Sequence, residues 1–139
     1  MRAAVEADLA ALCQVDPRGR EHPGHGDFLA AVVAADRCYV ALEGDRACGY
    51  LVFDHSFFEE GFVHTLYVAE TDRRRGVGAA LMRHAEALCR TPKLFTSTNL
   101  SNRPMQALLA RLGYKLSGVI HDLDEGDPEL IYVKYLGTG

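Results

Sequence analysis

Val68-Ala69-Glu70-Thr71-Asp72-Arg73-Arg74-Arg75-Gly76-Val77-Gly78-Ala79-Ala80-Leu81 is where the chain turns from an apolar, β-branched run into a helix. A polar turn separates the two, and Gly76 and Gly78 open the helix. Glycine lets backbone come close to a ligand without a Cβ in the way. A helix start carries unpaired N–H groups and the positive end of the helix dipole, so it favours an anion. Three consecutive arginines add positive charge. Together these features describe a cradle for a diphosphate. A Walker A run, G-x-x-x-x-G-K-[ST], is not present. A dinucleotide G-x-G-x-x-G run fails because Leu81 stands where its third glycine belongs. Arg73 to Gly78 fits R-x-x-G-x-G. The plain alternative is a glycine-rich helix start beside a solvated arginine run.

Upstream, Phe62 to Ala69 reads as a strand, and Arg37–Leu42 with Ala47–Phe53 as a hairpin around Gly44-Asp45. Glu6 to Val15 carries Leu9, Leu12 and Cys13 at helical spacing and is stopped by Asp16-Pro17-Arg18-Gly19. Glu21 to Gly26 reads as loop, with Asp27 capping a helix to about Ala35. Downstream, Gly76 to about Arg90 is a helix whose Val77, Ala80, Leu81, His84, Ala85 and Leu88 share a face. Lys93–Thr98 is a strand. Ser101 or Asn102 caps a helix ending at Gly113. Tyr114–His121 and Glu129–Leu136 are the last two strands. The order α-α-β-β-β-α-β-α-β-β predicts one mixed α/β domain over residues 1–139. Met1-Arg2-Ala3-Ala4 reads as the tail of an edge strand, either truncated or following a late start codon.

With 139 residues, 48% apolar and 24% charged, the chain has the balance of an ordinary globule with a real core. Its net charge of −4 argues against a general nucleic-acid binder. No apolar run approaches the ~20 residues of a membrane span. Cys13, Cys38, Cys48 and Cys89 include no C-x-x-C pair, so reduced thiols in a cytoplasmic protein are the simplest reading, with no metal cage.

The sequence resembles the GNAT N-acetyltransferase superfamily, whose motif A is R/Q-x-x-G-x-G/A after a strand. Val63-His64-Thr65-Leu66-Tyr67-Val68 matches the family's I-x-x-L-x-V strand. Asn102, Leu108, Leu112, Gly113 and Tyr114 match its N…L…GF pattern, and Asp8-Leu9-Ala10-Ala11-Leu12 its early D-L-x-x-L helix. The resemblance covers nearly the whole chain. It implies the acyl-CoA N-acyltransferase fold: a largely antiparallel central sheet, splayed at the cofactor site, with helices on both faces. It also implies acetyl transfer from acetyl-CoA to an amine without a metal, CoA being the product. The backbone from Arg74 to Ala79 would hold the pyrophosphate, and Arg73, Arg74 and Arg75 would screen it. Leu66, Tyr67 and Val68 would pair with the pantetheine arm, which Asn102 would also contact. Thr96-Ser97-Thr98-Asn99 is polar for a central strand, and these groups, Asn99 included, would meet the ligand's amides. Homodimers are common among relatives.

Such a transfer needs a neutral amine, although a lysine-like amine has a pKa near 10.4. It needs a donor for the carbonyl oxygen as charge grows there. The I-x-x-L spacing suggests a bulge at His64-Thr65 that turns an N–H near Leu66 outward. Many relatives place a Glu base on this strand, but here the comparable positions are Phe62 and His64. His64, with an ordinary pKa near 6.5, is the candidate base; its bland reading is a half-exposed strand residue with no role. Glu59 and Glu60 could act through a water. The family's general-acid Tyr falls on Leu109, which leaves Ser101 or Tyr114 as substitutes and keeps open a non-catalytic acyl-CoA-binding or sensing module. A nucleotide-binding α/β domain is a third reading.

Asp122 to Glu129 holds five carboxylates. Asp124 and Glu125, with Glu59 and Glu60, are candidates for attracting a cationic acceptor; a solvated turn is the bland reading. Glu21-His22-Pro23-Gly24-His25-Gly26-Asp27 reads as loop in preference to a metal site, with His22 or His25 able to line an acceptor pocket. Phe57-Phe58 offers an apolar wall or simple hairpin packing.

Overall fold

Gly44, at φ +62, and Asp45 close a hairpin between β2 (Cys38–Glu43) and β3 (Arg46–Phe57), as the sequence predicts. The computed structural model describes residues 1–18 and 23–137. In chain order the remaining elements are β1 (Arg2–Ala3), a 3₁₀ turn (Glu6–Asp8), α1 (Leu9–Val15), α2 (Pro23–Ala34), β4 (Glu60–Val68), a 3₁₀ turn (Glu70–Asp72), α3 (Val77–Leu88), β5 (Lys93–Asn99), α4 (Arg103–Arg111), β6 (Lys115–Ile120) and β7 (Glu129–Tyr135). The seven strands have the order β1-β2-β3-β4-β5-β7-β6. β1 with β2, β2 with β3, β5 with β7 and β6 with β7 pair antiparallel, and β4 pairs with β5 in parallel. This is a mixed, largely antiparallel α/β fold.

The chain packs as two compact units. The first comprises Met1–Phe53 and Thr65–Ala85. Its core gathers Leu12 of α1, Leu29, Val32 and Val33 of α2, and Cys38, Val40, Tyr50 and Val52 of β2 and β3. In α3 the buried residues are Leu81, Met82 and Ala85, while Ala80 faces solvent. The apolar face is thus rotated from the predicted one. Gly49 of β3 lies tight against this packing. A Cβ there would sit 2.7 Å from the Tyr67 carbonyl oxygen and 3.3 Å from both Leu81 Cδ1 and Val77 Cγ1. Gly49→Ala is expected to cost about 1–3 kcal/mol, the usual range for overpacking. Urea unfolding checks this, and an unmoved midpoint would show that the strand relaxes freely.

The second unit comprises Asp54–His64 and the stretch from Glu86 onward. β5 pairs in parallel with β4 at Gly61↔Leu94, Phe62↔Phe95 and Val63↔Thr96. It pairs antiparallel with β7 over its full length, from Lys93↔Tyr135 to Asn99↔Glu129. Leu94, Leu109, Leu130, Ile131 and Val133 are buried.

Three boundaries differ from the sequence reading. α2 begins at Pro23, so 23–26 is helix and Asp27 is interior rather than a cap. Burial of Leu29, Val32 and Val33 on this helix outweighs the two glycines that suggest a loop. β3 runs on to Phe57 and β4 starts at Glu60, because Phe58 (φ 52) and Glu59 (φ 67) form the hairpin turn. Consecutive left-handed residues are the mark of a type I′ turn, normally Asn-Gly. Without that signature the turn is invisible to composition. The edge strand Arg2–Ala3 pairs with Val40 and Tyr39.

Candidate active site

β4 feeds directly into the glycine turn. Ala69 N–H donates to the Cys48 carbonyl (2.8 Å), fixing where the strand ends. Arg74 takes a left-handed φ of 66 and Gly76 one of 84, so the chain winds back before the helix begins. A Cβ on Gly76 would meet nothing within 4 Å, so space is open beside it. Ala80 N–H bonds back to the Gly76 carbonyl (3.0 Å). The N–H groups of Val77, Gly78 and Ala79 precede that first helical bond and belong to the orphan donors of a helix start. Geometry, open space and donor chemistry therefore fit a diphosphate at this turn.

Asp72 organises the turn, and the sequence reading passed over it. It is 1% exposed, and Arg46 grips both carboxylate oxygens at 2.6 and 2.8 Å, while Arg75 adds a bond of 3.2 Å. The Arg46 hydrogen bonds hold its carboxyl below the ordinary carboxylate range. Arg75 also reaches Glu43 at 3.2 Å. Arg73 donates to the Val68 carbonyl and the Tyr67 hydroxyl, each at 3.2 Å, with its guanidinium over the Tyr67 ring. Two of the three arginines expected to screen a ligand thus bond within the turn's own framework, and Arg74 stays exposed. A carboxylate among arginines, Asp72 beside Arg73, was the signal available.

His64 lies at the middle of β4, upstream of the turn, on the face shared by Glu60 and Phe62. Its Nε2 is 3.1 Å from Asp54 Oδ1 and 3.0 Å from Ser56 Oγ, and the Ser56 hydroxyl donates to Asp54 Oδ1 at 2.6 Å. The side chain of His64 is 31% exposed and that of Asp54 16%. Burial pushes the Asp54 carboxyl up, but the Ser56 hydrogen bonds and the neighbouring His64 outweigh it and leave it low. An ionised carboxylate only accepts, so Nε2 carries a hydrogen toward it. Asp54 and Ser56 were unreadable beforehand because they sit where the strand had been expected to end.

The other candidates have structural partners. The Ser101 hydroxyl donates to Asp127 Oδ2 at 2.6 Å. The Tyr114 hydroxyl donates to Glu86 at 2.8 Å, and burial together with that carboxylate pushes its pKa up. Leu109 is fully buried, so the family's tyrosine position here is core. Asn99 donates to Asp124 and to the Asp127 carbonyl. Asn102 caps α4 by accepting from Met105 N–H. Thr96, 1% exposed, donates to the Val63 carbonyl. Glu59 and Glu125 are exposed, whereas Glu60 Oε2 is buried with no hydrogen-bond partner. Leu66, Tyr67 and Val68 are half-buried. Of the histidine loop, Glu21 and His22 lie outside the described residues. His25 contacts Asp16 and Tyr50, each at 3.2 Å. Among the described residues no helix is long and apolar enough to cross a membrane.

A mixed sheet whose parallel pair leads into a glycine-rich, anion-receiving helix start defines the acyl-CoA-dependent acyltransferase class. The family model of the acetyltransferase (GNAT) family matches residues 7–114, and the chain belongs to that family. It is an acetyl-CoA-dependent acyltransferase. It is similar to a GNAT-family acetyltransferase from Bacillus cereus, with 31% identity, 96% of this chain and 94% of that one covered, and a TM-score of 0.88. Its fold is shared with the ribosomal-protein-S18-alanine N-acetyltransferase of Escherichia coli, at 16% identity, 99% and 93% coverage and a TM-score of 0.81. An aminoglycoside 6'-N-acetyltransferase complexed with coenzyme A shares it at 14% identity, 96% and 93% coverage and a TM-score of 0.77. Comparison with curated proteins finds no match.

Proposed function

We propose that the chain moves an acetyl group from acetyl-CoA to a primary amine of a small molecule or peptide, with residues 1–139 acting as one catalytic domain. The observation that carries the amine reading is the contact of Asp54, on β3, with His64 of β4, the strand that enters the glycine turn. The relatives' names support an amine acceptor, one naming a ribosomal-protein alanine and another an aminoglycoside. Four free cysteines support a cytoplasmic setting.

The N–H groups of Val77, Gly78 and Ala79 would hold the pyrophosphate, with Arg74 as the exposed cation beside it. Leu66 to Val68 would offer backbone to the pantetheine amides; the parallel register of β4 with β5 ends at Val63. Acetyl-CoA supplies the acetyl group as a thioester. The amine would attack in its neutral form, His64 Nδ1 would take the proton it sheds as the nitrogen–carbon bond forms, and the Leu66 N–H would donate to the carbonyl oxygen as charge grows. The nitrogen–carbon bond forms, the carbon–sulfur bond breaks, and the thiolate leaves. Since Ser101 and Tyr114 are held by Asp127 and Glu86, the thiolate leaves without a dedicated acid. A thiol with an ordinary pKa near 8.5 is a fair leaving group, so turnover slows without stopping.

The reading is tested by thiol release from acetyl-CoA across polyamines, aminoglycosides, amino acids and peptide N-termini. Release with at least one amine is expected. The fixed hydroxyls favour a second reading, a binding or sensing module, and acetyl-CoA binding without release across the panel would establish it. Gly78→Leu is expected to weaken acetyl-CoA binding about 100-fold or more, because the side chain displaces an anion from the helix start. Calorimetry reads the affinity, and an unchanged circular dichroism spectrum shows that the fold survives.

A further inference from the structure

β6 ends the sheet, with β7 on one side and no described strand along its outer edge. Five of its six residues are exposed. Leu116, Val119, Ile120, Leu123 and Tyr135 are each 43–64% exposed. At that exposure the five side chains leave on the order of 500 Å² open, the size of the largest patch on a typical monomer and often a functional one. A bulge decides how this edge can be used. Leu116 pairs with Tyr132 and Val119 with Leu130, the register shifting between Leu116 and Gly118. Tyr132 and Leu130 share one face of β7, as alternate residues do. Leu116 and Val119 therefore share that face too, which an unbroken strand would deny to residues three apart. Lys115 pairs with Val133 and Ile120 with Glu129, so these two share the opposite face.

The bulge makes β6 its own complement. An antiparallel second β6 that sets Leu116 against Val119 also sets Lys115 against Ile120, each pair on one face, about an axis between Ser117 and Gly118. Charge follows the same symmetry. Lys93 and Lys115 gather at the start of the strand, 5.6 and 5.1 Å from the centre of the Tyr135 ring. Asp122, Asp124 and Glu125, all exposed, follow its other end. The two ends stand roughly 20 Å apart, well beyond a Debye length of about 8 Å, so within one chain they do not neutralise each other. We propose that β6 is a two-fold interface with a second copy of this chain, Leu116 of each strand opposite Val119 of the other and the lysine end of each beside the acidic turn of the other. Burying the apolar side chains drives the contact, and the charges set its direction. An isologous contact uses up both edges, so it closes as a dimer and does not grow into a filament.

Sedimentation velocity and oxidative cross-linking of the full chain decide it. At about 100 μM, wild type is expected to sediment as a dimer of the 15.3 kDa chain, since standard interfaces hold at micromolar concentrations or below. Val119→Asp puts an unpaired charge into the contact and is expected to raise the dissociation constant about 100-fold or more. Its urea midpoint is expected to hold, because Val119 is exposed in the single chain. Leu116→Cys mixed with Val119→Cys is expected to give a disulfide-linked pair on air oxidation, because directly opposed residues have Cα atoms about 4.5–5.5 Å apart. Neither variant alone is expected to link above the wild-type background from Cys13 and Cys89, since like positions are offset along the strands beyond the ~7 Å that a disulfide spans. A monomeric wild type would overturn the proposal, and its co-sedimentation with phosphatidylcholine vesicles would give the patch to a lipid surface instead. A dimer that survives Val119→Asp would place self-association on another face. Links in the single variants, or none in the mixture, would overturn the two-fold register.

Discussion

His64→Ala is expected to lower kcat by about 10²–10⁴-fold, the span that a positioned general base contributes. Acetyl-CoA affinity is expected to hold, because the glycine turn and not His64 grips the cofactor. The acid limb of the pH–rate profile should vanish with the imidazole, and a limb that persists unchanged would discard His64 as base. Asp54 is a positioning residue, acting through its 3.1 Å contact with Nε2. Asp54→Asn keeps an oxygen at that place but removes the charge that favours imidazolium and fixes the tautomer. A kcat loss of about tenfold or more is expected, with the KM for acetyl-CoA held. A purely structural role for Asp54 would show as a lowered urea midpoint and a smaller folded fraction, with kcat per folded molecule unchanged.

The second large effect concerns stability. Asp16 is fully buried behind α1 and accepts bonds from the Tyr50 hydroxyl at 2.5 Å and from Arg18 at 2.6, 3.0 and 3.1 Å. Tyr50 is itself fully buried. Asp16→Ala removes the carboxylate that accepts from the Tyr50 hydroxyl, leaving that hydroxyl, among the described residues, only its contacts with His25 and Arg18, and it unpairs Arg18. Breaking a buried ion pair costs about 3–5 kcal/mol. Arg18, 46% exposed, can turn to water, so the lower end is expected. Asp16→Asn keeps an acceptor and is expected to cost less.

The pH dependence has a definite sign. Burial pushes the Asp16 carboxyl up, but the hydrogen bonds from Arg18 and Tyr50 outweigh it and hold the pKa at about 2. The unfolded chain has an ordinary aspartate near 3.9. A folded pKa below the unfolded one gives stability that is complete above about pH 4 and is lost as pH falls through 2, roughly 2–3 kcal/mol in all. Urea midpoints measured down that range should show a smaller step in Asp16→Asn than in wild type, the remainder coming from other carboxylates held low, such as Asp72 and Asp54.

Local order was legible wherever a short-range rule governs it. Gly76 and Gly78 after an apolar strand, Gly44-Asp45 between two apolar runs, and Asn102 before a helix each act within a few residues. The sequence reading placed these elements to within a few positions. The hairpin turn Phe58-Glu59 escaped it, because no turn residue marks that site and the pairing of the strands on either side imposes the left-handed backbone. The helix start at Pro23 was hidden by Gly24 and Gly26, whose helix-breaking tendency is weaker than the burial of Leu29, Val32 and Val33.

By itself the sequence determined the strand–turn–helix that receives an anion, the order of elements, and His64 as the histidine on that strand. All of these depend on neighbours in the chain. The tertiary structure alone decided which polar groups remain available. Asp54 reaches His64 across ten residues and Asp16 meets Tyr50 across thirty-four, while Asp127 and Glu86 occupy the hydroxyls of Ser101 and Tyr114. Hydrogen bonds form wherever folding brings donor and acceptor together, and no spacing rule in one dimension encodes those meetings.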